Sequence, residues 1–208
     1  MKRFLNVSLV CIMTLLFFSC GSDDGEADDD NNSEGCELRL NTGLACDYSE
    51  FQNITFTKGA YIDGGPSEFT GTDGVTHFFR KIILADGDIS LDQFGNIVSD
   101  NATAYVEFFL YSLGTDEFKL GTFEPWASID PKTSSFISLA GDLSYECSID
   151  TNGLACDSRI GMGDAIVVIS ENGTQEVICF DFLLSFFGSG PKCVKGTFSG
   201  ELKDLTPN

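Results

Sequence analysis

The sequence predicts an all-β domain of about eight antiparallel strands, closed as a sandwich or a barrel. Three observations carry this. Runs rich in aromatic and β-branched residues recur along the chain, several with apolar side chains at every second position. Gly-, Asn- and Asp-containing turn signals separate them. Nowhere do apolar residues recur convincingly at helical spacing.

The chain starts with an export leader. Lys2 and Arg3 precede an apolar run, Phe4 to Phe18, which is too short and wrongly flanked for a spanning helix. Residues 1–19 are read as a signal peptide. Gly21 to Gly35 then holds seven acids, no base and no aromatic residue, and Ala27 is its only aliphatic side chain. Such a segment buries too little apolar surface to order itself, so residues 20–35 read as a disordered, self-repelling tether. Residues 36–208 read as a single domain.

The strands follow in order. Ile54 and Phe56 alternate with Thr55 and Thr57, and Gly64-Gly65-Pro66 signals a turn. Thr76 to Ala85 is a strand stopped by Asp86-Gly87-Asp88, with another break at Gly95-Asn96. Thr103 to Leu113 is apolar on both faces, as a strand central in a sheet is. Gly114-Thr115-Asp116 turns into Lys119 to Phe123, which ends at Pro125. Phe136 to Tyr145 is broken by Gly141-Asp142, and Gly161-Met162-Gly163 reads as a turn. Ala165 to Ser170 runs to the hairpin signal Asn172-Gly173. Glu176 to Phe187 places Ile178, Phe180, Phe182, Leu184 and Phe186 on one face. Gly188 to Pro191 turns it into Cys193 to Lys203.

Charge narrows the partners. Seven of 32 acids lie in the tether and two of 12 bases in the leader, which leaves the domain near −15. Nucleic acid and anionic lipid faces need basic patches, so the charge argues against both. Solubility at a crowded surface accounts for the acidity better than cation binding.

No catalytic signature is present: there is no GxSxG, HExxH, GxxxxGK[ST] or strand-borne GxGxxG. No cofactor is implied. The lone histidine, His77, sits in a strand context and reads as structural. Asp86, Asp88 and Asp92 alternate in an acidic loop and are weak calcium candidates. The loop lacks the EF-hand glycine, and Ile97 stands where the bidentate glutamate belongs, so a solvated turn is the better reading. An acid-pair glycosidase needs only two placed carboxyls, which so acidic a chain neither supports nor excludes. Phe outnumbers Trp plus Tyr by 19 to 6, which suits a thick core or an apolar pocket. Trp126, beside Pro125, is the ligand-binding candidate, with Tyr111 and Tyr105 behind it. The competing reading makes Trp126 a plug over one end of the core.

Apart from Cys11 in the leader and Cys20, six cysteines remain, which allow 15 connectivities. If Thr151-Asn152 is a two-residue hairpin loop, Asp150 faces Gly153 and Cys147 faces Cys156, a close pair suited to a disulfide. Asn41 to Asp47 echoes Thr151 to Asp157, with a cysteine upstream in each copy, and by that analogy Cys36 pairs with Cys46. Cys179–Cys193 is then what remains. It conflicts with the strand reading, in which a three-residue loop pairs Phe186 with Val194 and sets Cys179 beside Glu201. Either the ladder is broken there or these cysteines have other partners.

Two resemblances locate the protein. Ser19-Cys20 at the end of the apolar run resembles the lipobox of bacterial lipoproteins, which implies acylation at Cys20. Ser22-Asp23-Asp24 resembles the acidic export signal of Bacteroidetes surface lipoproteins, which implies an outer-membrane protein facing outward, with the periplasmic face as the alternative. The stretches at residues 105–125, 165–187 and 193–204 resemble small lipoproteins of that group with lipocalin-like or sandwich β-domains. The expected function is a membrane-anchored binding module for a glycan, an apolar ligand or a protein. A surface hydrolase and a structural or inhibitory surface protein are the alternatives.

Overall fold

A computed structural model describes residues 38, 56–69, 72–138, 141–150, 153–184 and 192–207, all within the unit Ser33–Asn208. The leader, Cys20, the tether, the Cys36–Cys46 pairing and the turn at Gly188 to Pro191 lie outside the described residues.

The described residues are almost entirely strand. The elements are β1 (Lys58–Glu68), β2 (Thr76–Ala85), β3 (Ser90–Leu91), β4 (Ile97–Val98), β5 (Tyr105–Leu113), β6 (Gly121–Pro125), β7 (Phe136–Ile137), β8 (Asp142–Asp150), β9 (Gly153–Asn172), β10 (Gln175–Leu184), β11 (Lys192–Gly200) and β12 (Leu202–Asp204). A single 3₁₀ turn, Trp126–Ser128, interrupts them. The predicted all-β class holds, and the closed solution is a barrel. β1, β2 and β5 pair antiparallel in succession, and β5 is shared by β7 and β8. β9 is shared by β8, β6 and β10, and β10 pairs with β11. The chain breaks at Glu201 and continues as β12, which lies parallel to β1 and closes the ring.

Alternation decides what faces inward. Ile82 and Leu84 of β2, Val106, Phe108 and Leu110 of β5, Val167 and Ile169 of β9, and Ile178, Phe180, Phe182 and Leu184 of β10 form one buried interior cluster. Phe180 is its hub, with ring centroids 5.9 Å from Phe56, 5.5 Å from Phe108 and 5.8 Å from Phe182. A ring this narrow holds these phenyls only where glycine yields space. Gly196 faces Phe180 across the β10–β11 pair, and a Cβ there would stand 2.7 Å from Phe180 Cζ. At the closing seam, a Cβ on Gly59 would stand 2.4 Å from Leu202 Cδ2.

A second apolar cluster lies on the outward side of β1 and β2. Ala60, Ile83 and Ala85 are covered by Ile89, Ala102 and Ile97 from the β3–β4 hairpin and its return.

Several expectations change. Gly64-Gly65-Pro66 is not a turn but a bulge inside β1, with the register shifting between Asp63 and Gly65 and Gly65 at φ 72°. Pro66 is tolerated because β12 pairs with β1 only as far as Tyr61. Gly161-Met162-Gly163 is not a turn either: β9 continues through it, with a register shift against β10 between Met162 and Ala165. The break expected at Gly141-Asp142 holds, with Phe136–Ile137 as β7 and β8 starting at Asp142. The last hairpin pairs Phe182, not Phe186, with Val194, so its connection is longer than three residues. Two pairings, β1–β12 and β6–β7, are parallel.

The β8–β9 hairpin sets Asp150 opposite Gly153 and Cys147 opposite Cys156, and those two cysteines are disulfide-bonded. Cys179 and Cys193 are also disulfide-bonded, but not to each other. Cys179 faces Thr197 and Cys193 faces Leu183, four residues apart along the ladder. That is about 13 Å along the strands, where a disulfide needs Cα atoms within about 7 Å.

The hub of the core gives a direct test. Phe180→Ala removes a ring packed on three sides and is expected to cost about 3–5 kcal/mol. Gly196→Ala, which adds one methyl against that ring, is expected to cost about 1–3 kcal/mol. Equilibrium denaturation of both variants checks this; a Gly196→Ala chain as stable as the parent would contradict a tightly filled barrel.

Candidate functional site

The described interior is packed with side chains, and the outward faces of the strands carry a second set of groups. β2 and β5 direct their inner side chains to the core, and their outward ones carry a second set of rings. Phe79 of β2 stacks on Phe109 of β5 at 6.2 Å and leans on Tyr111 at 5.0 Å. Tyr111 stacks on the buried Phe136 at 5.0 Å. Phe69, just past the end of β1, lies 5.0 Å from Tyr111 and meets Trp126 edge-on at 5.9 Å. Phe69, Phe79, Phe109, Tyr111 and Trp126 are all half-buried. They form a continuous aromatic layer at the end of the barrel where β2 begins and β5 ends.

Loops fix this layer. The Lys132–Asp73 ion pair joins the loop after β1 to the loop before β7. Leu113 N–H donates to Ser135 Oγ at 3.0 Å. Along the sheet, the layer is bordered by the cross-strand pair Lys81–Glu107 at 2.7 Å, with Lys81 Nζ 5.8 Å from the Phe109 ring centre. Burial pushes the Tyr111 hydroxyl above the ordinary tyrosine range, so it stays a neutral donor and acceptor at physiological pH.

His77 lies beneath this layer, fully buried, with its ring edge-on to Phe136 at 4.9 Å. Nε2 donates to the Ser134 carbonyl at 3.2 Å, and Nδ1 has no hydrogen-bond partner. His77 thus sits within the fold, beneath the rings, rather than at the surface. At the same end, Arg80 plugs the barrel mouth. Its guanidinium lies 4.1 Å from the Tyr61 ring centre and 4.4 Å from that of Phe118, and it binds both carboxylate oxygens of Asp63, at 2.6 and 2.9 Å.

The structure brings Trp126 and Tyr111 together through Phe69 and leaves Tyr105 out. Tyr105 packs on the cluster under the β3–β4 hairpin, at the opposite end of β5. The three aspartates do not converge. Asp86 accepts hydrogen bonds from Thr103 N–H, the Thr103 hydroxyl and Ala104 N–H. Asp88 pairs with Lys58 at 3.0 Å, and that hydrogen bond holds its carboxyl below the usual range. Asp92 closes its own turn. It accepts from Phe94 N–H at 2.8 Å, Asn96 N–H at 2.9 Å and the Asn96 side-chain amide at 3.0 Å. Among the described residues, no three metal-ligating side chains cluster.

That turn presents Phe94, which is 79% exposed and the one large exposed hydrophobic residue among those described. An open groove of about 420 Å³ lies at the far end, lined by Lys58, Asp88, Ile89, Phe198, Glu201 and Lys203. Its cations are engaged: Lys58 pairs with Asp88, and Lys203 Nζ donates to the Ile89 carbonyl at 3.4 Å.

Phe69, Phe79 and Phe109 were not singled out from the sequence. The signal for Phe109 was present, since β5 reads as apolar on both faces and an outward layer is the second face.

The Asp92 turn makes a pH-dependent prediction. Its hydrogen bonds, first of all those from Asn96, hold the carboxyl below the ordinary value of about 3.9. A depressed pKa means that the contribution is present above the unfolded value and lost as pH falls through the folded one. Amide protection at Phe94 and Asn96 should therefore survive mild acid and disappear only below the ordinary aspartate range. Asp92→Ala should abolish it at every pH. Hydrogen exchange by NMR reads both, and protection unaffected by Asp92→Ala would refute this account of the turn.

Comparison with protein-family models, curated proteins and solved structures finds no match for this chain.

Proposed function

We propose that the chain is an outer-membrane, lipid-anchored binding module. Its contact face is the half-buried aromatic layer of Phe69, Phe79, Phe109, Tyr111 and Trp126. The single observation that carries this is the contrast between the two faces of β2 and β5. Inside, Phe108, Phe180 and Phe182 fill the barrel, which leaves a Phe-lined cavity unsupported. Outside, five rings remain only partly covered. Partly covered aromatic surface of this kind suits an intermolecular contact.

A polypeptide partner fits this face best. Three of the five rings are Phe, which offers apolar area without a polar handle. A glycan is the second reading, favoured by Trp126 and Tyr111, the two rings that do carry one. Nucleic acid remains a poor fit: Lys58, Arg80, Lys81 and Lys132 are each ion-paired, and the domain is strongly acidic. A hydrolase remains the alternative of a different class. It is weakened by the engagement of Asp63, Asp86, Asp88, Asp92 and Glu107 in the hydrogen bonds and ion pairs described above.

The test of the contact face uses the soluble domain, residues 36–208, screened by thermal shift against envelope proteins, glycans and lipid vesicles. A ligand at 100 times its Kd adds about 2.7 kcal/mol to the folded state. A genuine partner should also change Trp126 fluorescence. Trp126→Ala and Tyr111→Ala should each weaken binding several-fold without unfolding the chain. A partner that binds both variants as well as the parent would place the contact elsewhere. Turnover of a polysaccharide or ester, lost on changing one acid, would refute the binding-only reading.

The anchor has its own test. Cys20→Ala should release the protein to a soluble fraction or leave the uncleaved precursor in the inner membrane. Continued uptake of labelled fatty acid by that variant would rule out acylation at Cys20.

A further inference from the structure

We propose that residues 36–46 lie over the outward face of β10 and β11, stapled there by two disulfides that join Cys36 and Cys46 to Cys179 and Cys193. The argument begins with alternation. Ile178, Phe180 and Phe182 of β10 and Val194 and Phe198 of β11 point into the barrel, so Cys179, Asp181 and Cys193 point outward. Outward residues of a barrel wall meet solvent unless something covers them. Yet Cys179 is 7% exposed, and Asp181 and Cys193 are fully buried. The pairings with β9 and β11 satisfy the backbone of β10 but put nothing over these side chains. A covering segment is required.

Bonding identifies it. Cys179 and Cys193 are both disulfide-bonded, and their register forbids a bond between them. Cys147 and Cys156 are bonded to each other. The other cysteines of the chain are Cys11, Cys20, Cys36 and Cys46. Cys11 belongs to the leader and Cys20 to the anchor, so this step rests on the lipoprotein reading. Cys36 and Cys46 are then the partners, and the pairing of those two with each other is displaced. The span agrees: Cys179 and Cys193 are separated by about 13 Å along the strands and one strand spacing across. Ten residues of extended chain reach about 33 Å, so the segment bridges both sites with slack.

Non-reducing peptide mapping of the full exported chain decides the matter. Trypsin cuts after Arg39, Lys58, Arg159 and Lys192, and so separates Cys36, Cys46, Cys179 and Cys193, while Cys147 and Cys156 stay on one peptide. Glu-C, cutting after Glu34, isolates Cys36 from Cys20. The expected products are two cross-linked pairs, each joining one N-terminal cysteine to Cys179 or Cys193; either connectivity satisfies the proposal. A Cys36–Cys46 pair would overturn the staple alone, and a pair containing Cys20 would overturn both the staple and the anchor. Cys46→Ser provides the second reading: on denaturation it should expose one new maleimide-reactive thiol, at Cys179 or Cys193. A new thiol at Cys36 would overturn the proposal.

Discussion

The constraint on which the rest of this structure depends is the narrow, dehydrated interior of the barrel. Phe108, Phe123, Phe180 and Phe182 are almost wholly removed from water, each contributing about 1.5–3 kcal/mol by burial. Rings of this size cannot face one another across a small barrel without relief. Gly59 and Gly196 provide it, one at the seam that closes the ring and one opposite the hub. The result, among the described residues, is a closely packed core. The same strands still have a second, outer face to cover.

Two different solutions cover that second face on β2. Towards Ala85, small residues let the β3–β4 hairpin lie flat, and Ile83 and Ala85 disappear beneath it. Towards Thr76, aromatic residues replace the small ones. There the cover is incomplete: Phe136 is buried, while Phe79, Tyr111 and Trp126 keep part of their surface. The division follows directly from residue size along one strand. It explains why the partly covered rings gather at one end rather than scattering.

Much of this was legible. β2, β5, β10 and the end of β9 carry enough regular alternation to declare themselves, and the Cys147–Cys156 register follows from hairpin geometry. What was hidden was hidden for physical reasons. β3, β4, β7 and β12 are two or three residues long, shorter than one repeat of the pattern. The first half of β9 contains Gly161 and Gly163, which read as breakers yet continue the strand. In β1 the run Gly64-Gly65-Pro66 imitates a turn because a bulge needs the same left-handed glycine that a turn does. Trp126 and Tyr111 stand in one layer, joined through Phe69, whereas Tyr105 packs elsewhere. It is six residues from Tyr111 on one strand, about 20 Å away. Phe69 carried no signal, because its place is set by where β1 happens to stop.

Charge then governs how such a domain meets its surroundings. The chain carries a formal charge of −20, yet its carboxylates are not idle: Asp86 and Asp92 cap loops, and Asp63 and Glu107 neutralise Arg80 and Lys81. These carboxylates are used on N–H donors and neighbouring cations. The remaining negative field repels anionic lipid headgroups and other acidic proteins over a Debye length of about 8 Å at physiological salt. Attraction to a partner must then come from contact rather than from long-range steering. The half-covered rings beside the internally neutralised Lys81–Glu107 pair are a place where the surface offers apolar area with no net charge against it. Such a surface, acidic overall with its partly covered rings gathered at one end, disfavours indiscriminate association and leaves one place where apolar contact costs little electrostatically.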